Sequence, residues 1–253
     1  MLTLPVSPTS SSAPRSPSLA ASNGVLSDST TLPSTAIATE SSGVGRRAIF
    51  FVSAFLVSVP VFFQAPLVRS LPVLSLLLTG VLFLFVRALY RQEETQSLGD
   101  LMAGFALTWL AGSIYWGWFR WQPFLHLPIE ALALPLALWG ISRVKTPIAH
   151  WFYLGSLLGT ALTDLYFYLV HLIPHWRHLM FAQPEEAPAI LNAALLQMQT
   201  PWGIGCAIVV VSLLMALGSV PLRSDRLHHL AFSGAVLSTV LVDGLFFAAA
   251  LLA

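Results

Sequence analysis

From residue 46 onward the chain is a series of apolar runs, each about as long as one membrane crossing and parted by short polar hinges. A helix that crosses the hydrocarbon core needs about 20 mostly apolar residues at about 1.5 Å per residue. Seven runs meet this: 47–64, 70–89, 101–119, 124–141, 148–173, 202–220 and 228–252. The first is the shortest and contains Pro60. Lipid offers no hydrogen bonds to backbone, so runs of this length must cross as helices. Composition agrees. Only 9% of the 253 residues are charged and 56% are hydrophobic, with mean hydropathy +0.77. A soluble domain carries about 25% charged residues. The expected fold is an all-α polytopic membrane helix bundle of about seven transmembrane helices, with the lipid bilayer as its first partner.

A net charge of +1 leaves no face basic enough to neutralise the row of phosphates of a nucleic acid, which excludes a nucleic-acid partner. The single cysteine, Cys206, excludes an internal disulfide and a cysteine-based zinc site.

Residues 1–45 form a separate region, with 18 Ser or Thr, five Pro and no aromatic residue. Such a segment buries too little apolar surface to offset its ordering entropy. It reads as a disordered tail ahead of a helical domain at 46–253. Its Ser-rich, acid-poor composition also suits a plastid transit peptide. Between the fifth and last runs, "QPEEAPAILNAALLQMQTPW" places Ile190, Leu191, Ala194, Leu195 and Met198 at helical spacing. This predicts one short interfacial helix, with Glu185 and Glu186 near its positive N-terminal end.

The basic residues orient the bundle. Seven alternating spans put Arg46, Arg47, Arg87, Arg91, Arg143, Lys145, Arg223 and Arg226 on one side and only Arg69, Arg120 and Arg177 on the other. Positive charge marks the cytoplasmic side, so the N-terminus is expected in the cytoplasm and the C-terminus outside or in a lumen. Most tryptophans fall near span ends, where aromatic belts form; Trp109 lies deeper.

Three carboxylates fall within the runs, where a charged side chain costs about 2.5 to 3.5 kcal/mol. Asp164 and Asp243 lie about 22 to 24 Å above the basic side, and Glu130 about 9 Å below the opposite one, at the rise of a helix. All three therefore reach one level in the outer half. Tyr168 and His171 follow Asp164 at i+4 and i+7 on the same face; Thr239 precedes Asp243 by one turn, as His126 precedes Glu130. A stripe of Gly155, Gly159 and Thr163 lets a neighbouring helix come close and turns Asp164 toward protein. The expectation is a shared polar pocket of Glu130, Asp164 and Asp243, supported by Tyr168, His171, His126 and Thr239. The alternative is that each acid is structural glue, bonded to a hydroxyl or indole on the next helix.

Imidazole suits zinc, copper or iron, but Pro174 interrupts "HLIPHWRH" and spoils the helical spacing of a metal motif. No metal site is assigned, and the cofactor is unknown. In "HLPIEALALP", Pro128 and Pro135 loosen the helix on either side of Glu130.

Two resemblances follow from these motifs. On "FFVSAFLVSVPVFFQAPLVR", "WLAGSIYWGWFRWQPFLHLPIEA" and "GTALTDLYFYLVHLIPHW" the chain resembles a cyanobacterial family of multi-pass membrane proteins, a domain of unknown function. That resemblance covers about 200 residues, and implies a cyanobacterial or plastid membrane, plasma or thylakoid, with a bacterial tail rather than a transit peptide. "LPIEA" is similar to the Pro-x-Glu-(Glu/Asp) motif of small membrane carotenoid cyclases, which protonate an isoprenoid double bond without a cofactor. Pro128 and Glu130 match it, while Ala131 stands in place of the second acid.

Three functions fit: a structural or assembly factor of a photosynthetic or energy-coupling membrane, within a membrane protein complex; a cofactor-independent enzyme acting on an isoprenoid, quinone or lipid, with Glu130 as proton donor and a small apolar ligand; and a small proton-coupled transporter. Transport needs polar residues continuing to the inner face. Inward of Asp164 and Asp243 polar residues are few, and the sides there offer only Ser, Thr and Gly.

Reporter fusions test the orientation. A reporter active only in the cytoplasm should work after Arg91 or Arg143 and fail at the C-terminus; the reverse pattern rejects the assignment.

Overall fold

The computed structural model describes residues 34–144 and 147–252. Most of the expected tail (residues 1–33) and Lys145 lie outside the described residues. The chain runs through α1 (Ser34–Ser70), α2 (Pro72–Leu89), α3 (Gln96–Ile114), α4 (His126–Glu130), α5 (Leu134–Arg143), α6 (Ile148–Leu169), α7 (Ile173–Phe181), α8 (Ala187–Met198), α9 (Pro201–Ser219) and α10 (Leu227–Leu252). Among the described residues there is no strand.

The surface is inverted relative to a water-soluble protein. Phe51, Phe63 and Val209 are about two-thirds exposed, whereas Ser53, Ser75, Ser113 and Ser233 are fully buried. Apolar side chains outside and hydroxyls inside suit a hydrocarbon solvent. Among the described residues six helical segments are long and apolar enough to cross a membrane, and α6 with α7 makes a seventh if that bent pair is one span. Packing direction decides this count. The α1 residues Phe50 and Ser53 meet Gly234, and Phe62 stacks on Phe246 at 5.5 Å, so α1 and α10 run parallel. Parallel first and last spans need an odd number of crossings between them. With α2, α3, α4–α5 and α9 alone that number would be even, so α6 crosses.

The expected span ends shift for local reasons. The first span continues through Pro60 and Pro66 to Ser70, since neighbouring helices tolerate proline within a membrane helix. The fourth breaks between α4 and α5, where Ala131–Ala133 form a 3₁₀ turn. Pro135 lacks the N–H that would bond the Ala131 carbonyl, and the Leu134 amide takes that carbonyl instead. The Glu130 carbonyl loses its ladder partner and accepts from the buried Tyr153 hydroxyl at 2.5 Å.

The fifth span ends earlier than expected. α6 stops at Leu169, His171 adopts φ 57°, and the chain turns by 102° into α7. Leu172 N–H bonds the Phe167 carbonyl at 2.9 Å and His171 N–H the Tyr168 carbonyl at 3.3 Å. This is the paired termination of a Schellman motif, with His171 where glycine usually stands. Pro174 therefore sits in the first turn of α7, which its fixed φ favours, and starts that helix rather than ending the previous one. The single interfacial helix expected over 183–202 is α8, and α7 joins it as a second short helix.

α6 is central. Gly155, Gly159 and Thr163 form the expected stripe, and it faces α10. A Cβ at Gly155 would lie 2.8 Å from the Phe232 carbonyl, and one at Gly159 would strike the Thr239 hydroxyl. Two buried clusters flank this seam: one of α1, α2, α3, α6 and α10 around Leu101 and Phe152, the other of α6, α9 and α10 around Leu162, Leu214 and Val236.

Gly159→Val should lower unfolding stability in micelles by about 1 to 3 kcal/mol, the usual range for overpacking. Gly80→Ala, with open space around it, should leave the melting temperature unchanged. Equal effects would show that the α6–α10 seam is not tight.

Candidate functional site

Gln122 and Pro123 end the third crossing, and α4 enters the bundle with His126 in its first turn. His126 Nδ1 lies 2.9 Å from one Asp164 carboxylate oxygen and 3.0 Å from the other. Both side chains are only 13% exposed, so the pair bridges α4 and α6 largely out of contact with lipid. Asp164 thus faces protein, as expected, but toward α4; the small-residue stripe faces α10.

Aromatic rings enclose His126. Directly after α3, Tyr115–Phe119 form a π-helical turn. This widened turn, of a kind frequent at functional sites, brings the fully buried Tyr115 to 4.3 Å from the imidazole, centroid to centroid, and Trp116 to 5.9 Å. After the 102° bend, α7 lays Trp176 across them, 5.3 Å from Trp116 and 5.5 Å from Phe167. The Trp176 indole donates to the Arg120 carbonyl at 3.0 Å, which ties α7 to the chain leaving the π turn. A cavity of about 10 Å³ remains among Tyr115, His126, Asp164, Phe167, Tyr168 and Trp176.

Each expected site residue has a definite place. Tyr168 lines the cavity and donates to the Pro123 carbonyl at 3.3 Å. Glu130 follows His126 by one turn on α4, but it does not line the cavity. Asp243 accepts a hydrogen bond from Thr163 at 2.9 Å. Since Thr163 precedes Asp164, Asp243 lies at the same level on another face of α6, about 100° away around the helix. Thr239 packs on Gly159 and donates to the Ala235 carbonyl at 3.4 Å, beside Asp243 on that face. His171 is exposed at the helix break and stands off this face. The arrangement therefore joins His126, Asp164 and Tyr168 with Glu130 nearby, and seats Asp243 and Thr239 in the α6–α10 seam. Among the described residues, no group of three or more His, Cys, Asp and Glu is placed to hold a metal.

Sequence reasoning missed the aromatic enclosure of Tyr115, Trp116 and Trp176. The run "YWGWFRW" signalled only an interfacial belt. It also missed a polar cluster between α1, α2 and α3. The Gln64 amide there donates to the Trp109 carbonyl at 2.9 Å, Ser75 and Ser113 hydroxyls lie 2.7 Å apart, and the Trp109 indole donates to the Ser75 carbonyl at 3.1 Å. The depth of Trp109 was the available signal.

A double-mutant cycle measures the pair. His126→Ala, Asp164→Ala and the double variant should give a coupling of about 1 to 2 kcal/mol in micelle unfolding, toward the upper end for interhelical hydrogen bonds in membrane proteins. Additive losses would mean that the two side chains do not interact.

No curated protein and no solved structure matches the chain significantly. One family model matches residues 53–251, which takes in the chain from within the first crossing helix onward and all of the site residues just described. On that match the chain belongs to the family described as Protein of unknown function (DUF3120).

Proposed function

We propose that this integral membrane protein is a structural or assembly factor of a photosynthetic or energy-coupling membrane, and that the His126–Asp164 pair in its outer half is a latch holding the broken fourth span to α6. The observation that carries this is the size of the space beside the pair. About 10 Å³ is close to the room one water needs, whereas sites for small organic ligands measure about 300 to 1,000 Å³. Such a space serves a hydrogen-bonded clasp and does not admit an isoprenoid or quinone ring. The sequence resemblance supports the choice of membrane, and the Arg-rich ends support a cytoplasmic N-terminus.

A second reading draws on Glu130. His126, paired with Asp164, and Glu130 one turn further along α4 form a group that can hold and pass a proton. A cofactor-independent enzyme on an isoprenoid, quinone or lipid would use Glu130 as donor, and would need α7 to swing aside to open the site. A proton-coupled transporter would need a polar path inward from Asp164, where the next residues of α6 offer only the hydroxyls of Thr163, Thr160 and Ser156 among Leu162, Ala161, Gly159 and Leu158.

A strain lacking the gene separates these readings. The expected result is an unchanged profile of pigments, quinones and lipids, together with loss or altered mobility of a membrane complex on native gels. Re-expression of Asp164→Ala at normal protein level should fail to restore that complex. An accumulated precursor with a missing product would overturn the assembly reading and establish the enzyme.

A further inference from the structure

The ligand-sized space lies at the opposite, arginine-rich end. A groove of about 470 Å³ opens between the first turn of the α1 span and the segment leading into α10, lined by Arg46, Arg47, Phe50, Phe51, Leu222 and Leu230. Its rim is held in place. Arg46 pairs with Asp225, and its second guanidinium nitrogen donates to the Ser224 carbonyl at 3.2 Å. Arg47 is exposed and has no ion-pair partner among the described residues. Arg223 and Arg226 stand next to the groove on either side of Asp225 in the chain and are exposed as well, so arginine outnumbers aspartate in this region. Just inside it the lining turns apolar, with Phe51 65% exposed along the outside of α1.

We propose that this groove binds one acidic glycerophospholipid, its phosphate on Arg47 and the rim arginines and an acyl chain along Phe50 and Phe51. Three observations carry the assignment. The charge is complementary to a phosphodiester, and a guanidinium offers paired donors to its oxygens. The charged and apolar parts follow one another along the axis of a membrane-spanning helix whose apolar stretch begins at Gly45, which matches the order of headgroup and chain in a bilayer. The volume falls within the range of small-molecule sites. A soluble anion would use the arginines and leave the phenylalanines idle; a neutral lipid would leave Arg47 unpaired.

The test uses the full-length chain in a neutral detergent, with native mass spectrometry counting retained lipid. Phosphatidylglycerol should be retained over phosphatidylcholine of the same chain length by about fivefold or more, and Arg47→Gln should reduce that retention about fivefold, the effect of one arginine near an anionic surface. Arg143→Gln, on the same side but outside the groove, should change nothing. Phe51→Ala should reduce retention severalfold with all charges kept, and so tests the groove even if the Arg47 variant does not fold. Millimolar inorganic phosphate should not displace the lipid. Equal retention of the two lipids, equal losses for Arg47→Gln and Arg143→Gln, no effect of Phe51→Ala, or full displacement by phosphate would each overturn the proposal.

Discussion

In hydrocarbon a polar side chain has no water to turn to, so one carried into the bundle is stabilised by a partner, either on its own helix, as Ser53 finds in the Ile49 carbonyl, or on another. α6 meets this constraint on several faces at once. It offers Gly155 and Gly159 to α10, Thr163 to Asp243, Asp164 to His126, and the Tyr153 hydroxyl to the carbonyl freed in the fourth span. A carboxylate also fixes its start, because Asp100 accepts the Ile148 and Ala149 amides at 2.9 and 3.3 Å. Each bond is worth only about 0.6 kcal/mol on average inside a membrane. Together they determine which face of α6 meets which neighbour, something apolar packing against lipid-like side chains would leave loosely specified.

The crossings, the short helix over 187–198 and the small-residue stripe were legible because each rests on a local signal: run length, helical spacing, or glycines one turn apart. The parity of seven crossings was legible too, from alternating arginines, and it agrees with the parallel run of α1 and α10. The polar residues inside the bundle were legible as individuals, but their pairing was not. Common depth placed Asp164 and Asp243 on one level; nothing local showed that α6 would point them to different neighbours. The pairing of Asp164 with His126 joins positions 38 residues apart, and neither spacing nor composition encodes such a contact. The helix break at His171 was missed for a different reason. Histidine in the left-handed conformation replaces the glycine that usually announces such an end, and Pro174 was read as a stop when its position in the chain made it a start.

The two ends of the molecule differ in physical character. At the end where α6 bends into α7 a largely buried pair is wrapped by tryptophan and tyrosine, with space for about one water. At the arginine-rich end an open groove mixes arginine with phenylalanine. The proposed latch at one end and the proposed lipid contact at the other suit a protein whose task depends on holding a definite shape at a definite depth in the membrane. The polar cluster of Gln64, Ser75, Trp109 and Ser113 does similar work between α1, α2 and α3, since it satisfies amide and hydroxyl groups that lipid would leave bare.

The central claim is that the His126–Asp164 contact holds the broken fourth span against α6. Amide hydrogen exchange across Pro123–Arg143, compared between the natural chain and Asp164→Asn in bilayers, tests it most directly. Faster exchange in α4 and the following 3₁₀ turn, with α9 unchanged, is the expected result. Identical exchange in both proteins would contradict the claim and leave the pair a contact without consequence.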